Sequence, residues 1–450
     1  MNSIERRAAI SLALIYSTRM LGLFMILPVF VLYAEKLADI TPFLIGVAIG
    51  IYGLTQAMFQ IPFGIWSDRI GRKPVIIFGL LLFAMGSVVA AIATTIEWII
   101  IGRALQGTGA IAAAVMALAA DLTREQHRTK VMAIIGASIG FSFMLALILG
   151  PILQAWFGVP GIFWLTAVFA LLGILVVSFL VPNVQLPKTQ SELSVGRQGL
   201  SLAINNGQLL RLDFGVFILH MVLTAVFVVV PSMLQRQFSL DMAEHWQVYL
   251  AVMLASIVLL IPSIILSEKK QKTKEVFLAA IILCILSQLG LLQADLSFWS
   301  FIVAMVVFFW GFNLLEAMLP SLVSKTCNAG NKGAAMGVFS SSQFFGAFVG
   351  GSASGLILQR YDASGVFLFA AIMLTLWFLV AFSMRKPDYR PSYSFQVGVM
   401  ASQQAAAVAQ QLQDVEGVLD ATVIGEQGVA YLRIDKQRFI EKECIEKFAN

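Results

Sequence analysis

The chain has 450 residues, of which 59% are hydrophobic and 12% are charged, and its formal net charge is +5. Soluble domains average about 45–50% apolar and about 25% charged residues, so this composition excludes an ordinary soluble protein and indicates a polytopic membrane protein. The basic loops of such a protein account for the positive charge, and we expect no nucleic-acid partner. Cys284, Cys327 and Cys444 are scattered, with no spacing that suggests a disulfide framework or a metal site.

Twelve apolar runs follow one another along the chain, and each is close to the roughly 20 residues that a helix needs to cross a bilayer. No cleavage site follows the first run, so we expect it to stay as a helix rather than to be removed as a signal peptide. The predicted spans are 8–33, 43–66, 74–94, 97–120, 130–154, 161–181, 212–235, 246–266, 275–293, 298–323, 333–358 and 364–384.

Loop composition predicts the domain organisation and the orientation. The long polar stretch 182–211 is a linker between an N-terminal six-helix bundle (1–181) and a C-terminal one (212–386). Twenty Lys and Arg residues lie in the loops on one side of the membrane, against Lys36, Arg236 and Arg360 on the other. Because loops rich in Lys and Arg stay in the cytoplasm, we expect both termini there. We call this side the basic face and the other side the opposite face.

The most informative loop is the charged stretch between spans 2 and 3, which reads GIWSDRIGRKP from Gly64 to Pro74. The sequence predicts a short turn here, since glycines such as Gly64 and Gly71 permit close backbone approach and unusual backbone angles. Pro74 suits the first position of the next helix. A topology signal alone would explain the basic residues of this loop but not Asp68 between paired glycines.

In this membrane context, the pattern G-x-x-x-D-R-x-G-R-K resembles the signature loop of the major facilitator superfamily of transporters, and the resemblance covers about residues 1–385. It implies an all-α fold of twelve transmembrane helices in two six-helix halves. It also implies that Arg72 pairs with Asp121 and that Asp68 faces the start of span 11, near 333–335, in the outward-facing state. These contacts would lock the two halves on the cytoplasmic side and break on inward opening, as a conformational gate. The alternative is a permanent surface ion pair worth ~0–1 kcal/mol. The residues assigned to the gate are Gly64, Asp68, Arg69, Gly71, Arg72 and Asp121.

Four ionisable side chains that raise a functional question lie well inside predicted spans, away from their ends: Arg19 in span 1, Arg103 in span 4, His220 in span 7 and Glu316 in span 10. A charge at bilayer depth costs ~2.5–3.5 kcal/mol on insertion scales, so each one raises a functional question. Glu316 is the only carboxylate well inside a predicted span, and His220 is the only histidine that we expect to be buried. In the fold that the sequence resembles, spans 1, 4, 7 and 10 line the central cavity. The resemblance therefore implies a proton-coupling site built from all four.

Each of the four also has a purely structural interpretation. Glu316 could make a static hydrogen bond or ion pair, and His220 could be a satisfied polar group between helices. Arg19 and Arg103 could form neutralising pairs or contact backbone carbonyls. Gln56, Gln60 and Gln343 could line a path for the solute, or they could make polar contacts between helices.

Span 5 partly resembles the antiporter motif of drug exporters, through Gly140 and the pair Gly150-Pro151, but Ala146 and the pair 154–155 depart from it. We therefore predict a proton-coupled exporter of an unidentified small molecule in the bacterial inner membrane, driven by the proton gradient without a cofactor. No nucleotide-binding loop or catalytic set indicates an enzyme. The alternatives are a symporter or uniporter that imports a small solute, and a transport-inactive sensor that signals through the tail.

The tail, 392–450, differs in composition and follows a β-α-β-β-α order. The predicted elements are a strand at 394–400, a helix at 402–413, strands at 417–424 and 429–434, and a helix at 437–449. This order suggests a small cytoplasmic ferredoxin-like α+β domain similar to heavy-metal-associated modules. The loop at 400–402 lacks their cysteine pair, so we expect no metal. A regulatory or self-associating role and a role in folding stability are both open.

Overall fold

The computed structural model describes residues 1–182, 201, 204–269, 271–293, 296–327, 332–385, 392–425, 428–434 and 438. Most of the predicted linker at 182–211 and of the predicted last helix at 437–449 therefore lies outside the described residues.

Helices form at all twelve predicted spans. In the N-terminal half, the helices are Ser3–Phe24 and Phe30–Ala34 (span 1), Pro42–Ile70 (span 2), Arg72–Ile92 (span 3), Ile96–Thr108 and Ala112–Asp121 (span 4), and Glu125–Leu175 (spans 5 and 6), which ends in a π-helical turn, Val176–Leu180. In the C-terminal half, they are Gly207–Arg236 (span 7), His245–Lys269 (span 8), Thr273–Gly290 (span 9), Phe298–Thr326 (span 10), Lys332–Arg360 (span 11) and Ala363–Phe382 (span 12).

Length and composition alone identify most of these helices as membrane spans. Within the described part of the chain, nine helices are long and apolar enough to cross a membrane, and one of them, Lys130–Leu180, contains both spans 5 and 6. Spans 1 and 11 fall outside this set: span 1 is interrupted, and span 11 is rich in Gly and Ser. Their place in the bundle comes from packing against the other spans.

Spans 1 and 4 contain backbone breaks that hydropathy does not reveal, and a third break lies between spans 5 and 6. Span 1 opens into turns at 25–29, next to Pro28, which has no N–H to donate. Span 4 breaks at Gly109, whose ψ of 53° is not helical. Spans 5 and 6 reverse direction at Gly158, whose φ of 68° lies in the left-handed region that favours glycine.

The predicted turn between spans 2 and 3 is shorter than expected. Span 2 stays helical through Gly64 as far as Ile70, so the unusual backbone angle expected at Gly64 is not found. An added Cβ at Gly64 would lie 3.4 Å from Cβ of Ala113, which is an ordinary contact, so the packing here does not require a glycine. Gly71 alone turns the chain, with a φ of 110°, and span 3 begins at Arg72, which puts Pro74 at its third position rather than its first.

The two halves contact each other in the middle of the membrane and at the opposite face. Glycines of span 2 meet the backbone of span 11: a Cβ added at Gly50 would lie 2.8 Å from the carbonyl oxygen of Phe348. At the opposite face, Arg236 of span 7 pairs with Glu35 at the end of span 1, with 2.8 Å between Nη2 and Oε2. At the basic-face end of span 11, by contrast, no atom lies within 4 Å of a Cβ added at Gly333.

The tail contains a three-stranded antiparallel sheet and one helix. The strands are β1 (Ser392–Gln396), β2 (Val418–Ile424) and β3 (Val429–Ile434), in the order β1-β3-β2. The helix Ser402–Gln413 lies between β1 and β2 and matches its predicted bounds, whereas β1 begins two residues earlier than expected. Since β3 lies between β1 and β2, this is the split β-α-β arrangement of ferredoxin-like domains.

Candidate functional site

Three polar side chains from three helices meet inside the C-terminal half. His220 Nε2 of span 7 lies 3.7 Å from Oε2 of Glu316 in span 10. Gln343 of span 11 bridges them: its Nε2 lies 2.7 Å from His220 Nε2 and 3.4 Å from Glu316 Oε1. The Glu316 side chain is 38% exposed, whereas that of His220 is 12% exposed. The cluster is therefore open to solvent through its carboxylate.

The hydrogen bonds around His220 fit a neutral imidazole. Its Nδ1 lies 3.2 Å from the carbonyl oxygen of Val216, and because a carbonyl only accepts, this contact suits a hydrogen on Nδ1. With its nitrogen toward the ring, the amide of Gln343 donates to Nε2, which then accepts. In this arrangement Nε2 accepts from Gln343 and lies 3.7 Å from a carboxylate.

Two buried arginines lie on either side of Tyr52 in the N-terminal half. Arg19 is 2% exposed and donates from Nη2 to Gln56 Oε1 at 2.7 Å and to the carbonyl oxygen of Gly109 at 2.8 Å. Arg103 is 1% exposed and donates to two carbonyl oxygens of span 2, those of residues 48 and 49. The guanidinium carbons lie 5.9 Å (Arg19) and 5.6 Å (Arg103) from the centre of the Tyr52 ring, within range of a cation–π interaction.

Neither arginine forms an ion pair with a described carboxylate. Both arginines donate to backbone carbonyls, as one structural interpretation expected. Arg19 Nε and Nη1 and Arg103 Nη1, however, have no hydrogen-bond partner. Gln56 in turn donates to Gln60 at 3.0 Å, so these two glutamines belong to the surroundings of Arg19. The N-terminal half therefore contains two uncompensated positive charges, and the cluster in the C-terminal half contains a carboxylate.

The residues assigned to the gate form a network within the N-terminal half. Arg72 Nε donates to Asp121 Oδ2 at 3.0 Å, the pairing that the family resemblance implied for the outward-facing state, so it is also present in this conformation, in which the halves meet at the opposite face. Arg72 also donates to Ser67 and pairs with Asp68, four residues earlier and across the turn at Gly71. In this conformation Asp68 therefore has its partner within the N-terminal half. Arg69 is exposed.

Near the gate, the buried side chain of Glu5 anchors the N-terminal helix to the loop after span 4. Its carboxylate accepts hydrogen bonds from the Arg124 guanidinium at 2.8 and 3.2 Å. These bonds lower the pKa of Glu5 from 4.5 to about 2, with help from the backbone amides of Asn2 and Arg124 and against burial, which raises it.

Several contributors were missed or misassigned from the sequence. Gln343 was considered only as a pore-lining or packing residue, and Tyr52 and Glu35 were not considered. The expectation that His220 is the only buried histidine is wrong, because His245 is fully buried and its Nε2 lies 3.2 Å from the carbonyl oxygen of Leu240. Gln343 could be recognised from the sequence as a polar residue inside an apolar helix. That signal did not show which side chains it contacts.

Known proteins with similar sequences are membrane transporters. The family described as Major Facilitator Superfamily matches residues 12–268 and 212–407. The chain is 46% identical over 434 residues to "Inner membrane transport protein YajR" of Escherichia coli (strain K12), covering 96% of this chain and 95% of that protein. It is 28% identical over 260 residues to "Multidrug resistance protein MdtL" of Shewanella oneidensis, covering 54% of this chain and 63% of that protein.

Solved structures share the fold at low sequence identity. A bacterial homologue of the human lysosomal transporter Spinster, solved in an inward-facing and occupied conformation, superposes with a TM-score of 0.68 at 11% identity, covering 85% of this chain and 97% of that one. The human organic anion transporter MFSD10 superposes with a TM-score of 0.64 at 17% identity, covering 84% of this chain and 100% of that one.

Proposed function

Because this chain belongs to the Major Facilitator Superfamily of membrane transporters, we propose that it couples proton movement to the export of a small molecule across the bacterial inner membrane. Alternating access would occur by rocking of the two halves. We take the inner-membrane location from the name of the 46% identical relative. Export is supported by the similarity to a multidrug resistance protein and by the partial antiporter motif of span 5. With the basic face and both termini in the cytoplasm, the present conformation is inward-facing.

The observation that supports proton coupling is the His220–Glu316 pair. It places an imidazole nitrogen 3.7 Å from a carboxylate that is 38% exposed. An imidazole nitrogen and a carboxylate are both groups that can bind and release a proton. The pair can thus bind a proton from solvent at one stage of the cycle and release it at another.

The gate residues provide the alternating element of the proposed cycle. In the present conformation, Asp68 is bound to Arg72, and Arg72 to Asp121. In the outward-facing conformation, the halves close at the basic face, and Asp68 would meet the positive end of the span 11 helix dipole. Asp68 would exchange partners once in each cycle.

The test is a proton-flux assay on the full chain in liposomes. The protein is reconstituted with the pH dye pyranine inside, a proton gradient is imposed, and a panel of amphipathic cations, anions and neutral solutes is added in turn. Wild type is compared with Glu316→Gln and Asp68→Asn. Glu244→Gln is the matched control, because it removes the same charge from an exposed residue of the loop before span 8.

We expect proton movement opposite to solute flux, lost in Glu316→Gln and kept in Glu244→Gln. Slower exchange of solute for protons in Asp68→Asn would support a role for Asp68 in the gate. Co-directional movement would replace export with symport, and solute flux without proton movement would indicate a uniporter. If wild type moved none of the solutes in the panel, the proposal that it exports these solutes would fail. The alternative of a transport-inactive sensor would then be favoured.

A further inference from the structure

The side chain of Gln343 lies within hydrogen-bonding distance of both members of the proposed proton site. Its amide nitrogen lies 2.7 Å from His220 Nε2 and 3.4 Å from Glu316 Oε1. It belongs to span 11, whereas His220 and Glu316 belong to spans 7 and 10. Any change in the hydrogen bonding of this pair therefore acts on a third helix.

The amide of Gln343 has two orientations, and the protonation state of His220 selects between them. A neutral His220 presents a lone pair at Nε2, to which the amide nitrogen donates, as observed. A protonated His220 presents an N–H at the same position, so the amide nitrogen can no longer donate there. The amide must then turn its oxygen toward the ring, which gives up the contact of its nitrogen with Glu316, or move away.

Span 11 transmits such a change to the other half of the protein. Phe344, the next residue, has its carbonyl oxygen against Gly53 of span 2, too close for a Cβ at that glycine to fit. The Phe344 ring also packs edge-on against Tyr52, with 6.1 Å between ring centres. Tyr52 in turn lies between Arg19 and Arg103. A continuous set of contacts thus leads from the proton site to the interface between the halves.

We propose that Gln343 is a positioning residue that couples the protonation of the His220–Glu316 pair to the contact between the two halves. In the arrangement seen here, its amide bonds span 11 to spans 7 and 10 while the backbone of span 11 packs against span 2. Protonation turns the amide, releases span 11 from this position and favours separation of the halves at the opposite face. This inference rests on the proposed proton coupling, and it assigns the step by which the proton acts on the conformation.

Glu316 is the carboxylate that faces His220 from the spans packed around it, at 3.7 Å. On span 7 itself, Asp213 lies about two turns away toward the basic face. The cations Arg19 and Arg103 belong to the N-terminal half, beyond Phe344 and Tyr52. Glu316 stays present in the variants below, so differences between them report on residue 343.

The experiment measures a distance across the interface as a function of pH, and it needs no transported solute. Spin labels are placed at Ala38→Cys and Ala243→Cys, two exposed positions at the opposite face, one in each half. The native cysteines at 284, 327 and 444 are replaced by serine. Double electron–electron resonance then gives the label distance in lipid nanodiscs from about pH 5 to 8, the range in which histidine titrates.

The variants test whether Gln343 passes the protonation of His220 on to span 11, which we call the relay, or has only a structural role. Gln343→Met keeps the length of the side chain but makes no amide hydrogen bond, so the pH-dependent distance change should be lost. Gln343→Glu presents only acceptor oxygens and cannot donate to neutral His220, so its label distance at high pH should already resemble the low-pH distance of wild type. Gln288→Met is the matched control: Gln288 is a fully buried glutamine of span 9 that has no hydrogen-bond partner, and wild-type behaviour is expected.

The outcomes distinguish this inference from the proposed function. If the wild-type distance did not change with pH, proton coupling itself would fail, and the relay with it. A second outcome is that the label distance changes with pH in wild type but not in His220→Gln. If both Gln343 variants then kept the midpoint and amplitude of the wild-type distance change, only the role of Gln343 would be refuted. If both variants changed the distance equally at every pH, the role of Gln343 would be structural, which also overturns the inference.

Discussion

The glycine contacts between spans 2 and 11 give a quantitative prediction about the conformational equilibrium. A Cβ at Gly46 would lie 2.1 Å from the carbonyl oxygen of Gly351 and 3.1 Å from Cα of Gly355, whereas ordinary contact begins at 3.4 Å. Because the obstructing atoms are backbone, no side chain can rotate away. The Gly46→Ala substitution therefore forces spans 2 and 11 apart by about 1 Å at the opposite face.

Overpacking of a tight interface typically costs about 1–3 kcal/mol. In this protein the cost falls on the conformation in which the halves touch at the opposite face. A cost of about 2 kcal/mol would lower its population relative to the alternative by roughly 30-fold, since 1.36 kcal/mol is a factor of ten. We expect the distance between labels at residues 38 and 243 to increase at constant pH.

Glycines without close neighbours provide the controls. No atom lies within 4 Å of a Cβ added at Gly337 of span 11 or at Gly140 of span 5. Gly337→Ala and Gly140→Ala should therefore keep the wild-type distance distribution. The reasoning would be refuted if Gly46→Ala left the distribution unchanged while folding normally, or if the control substitutions shifted it equally.

Two further predictions follow from polar contacts at the two faces. The Glu35–Arg236 ion pair joins the halves at the opposite face, but Arg236 is 70% exposed, so Glu35→Gln should favour opening by no more than ~1 kcal/mol, with a smaller effect in high salt. An effect on the same label distance that was equal at low and high salt would contradict an electrostatic origin. The pKa of Glu5 is depressed from 4.5 to about 2, so its contribution to stability is full above pH 4.5 and is lost as the pH falls toward 2. Thermal unfolding of wild type and Glu5→Gln should differ most above pH 5 and converge on acidification, and a difference that grew as the pH fell would show that the sign is wrong.

The sequence by itself determined the number and order of the spans. A bilayer core requires about 20 apolar residues per crossing helix, so the hydropathy pattern alone reveals them. Composition also separated the tail, whose helix 402–413 the structure reproduces. The four ionisable side chains inside the spans were likewise evident, because charges are rare at that depth.

The sequence left open which glycine turns the chain and which histidine is buried. Gly64 and Gly71 look alike in the signature loop, yet only Gly71 takes a positive φ, while span 2 runs as a helix past Gly64. His245 lies at the start of span 8, where a loop position would be exposed, and is fully buried. Backbone angle and burial at such positions depend on the neighbouring elements, which a local pattern does not specify.

The partners of the polar side chains were decided only by the tertiary structure. Gln343 and His220 are 123 residues apart, and Glu35 and Arg236 are 201 apart. Hydrophobic periodicity specifies which residues are apolar but not which helices become neighbours or how they are rotated. The uncompensated charge of Arg19 and Arg103 and the bridge from His220 to Glu316 exist because packing brings distant spans together, and the low polarity of the interior makes each of those contacts matter.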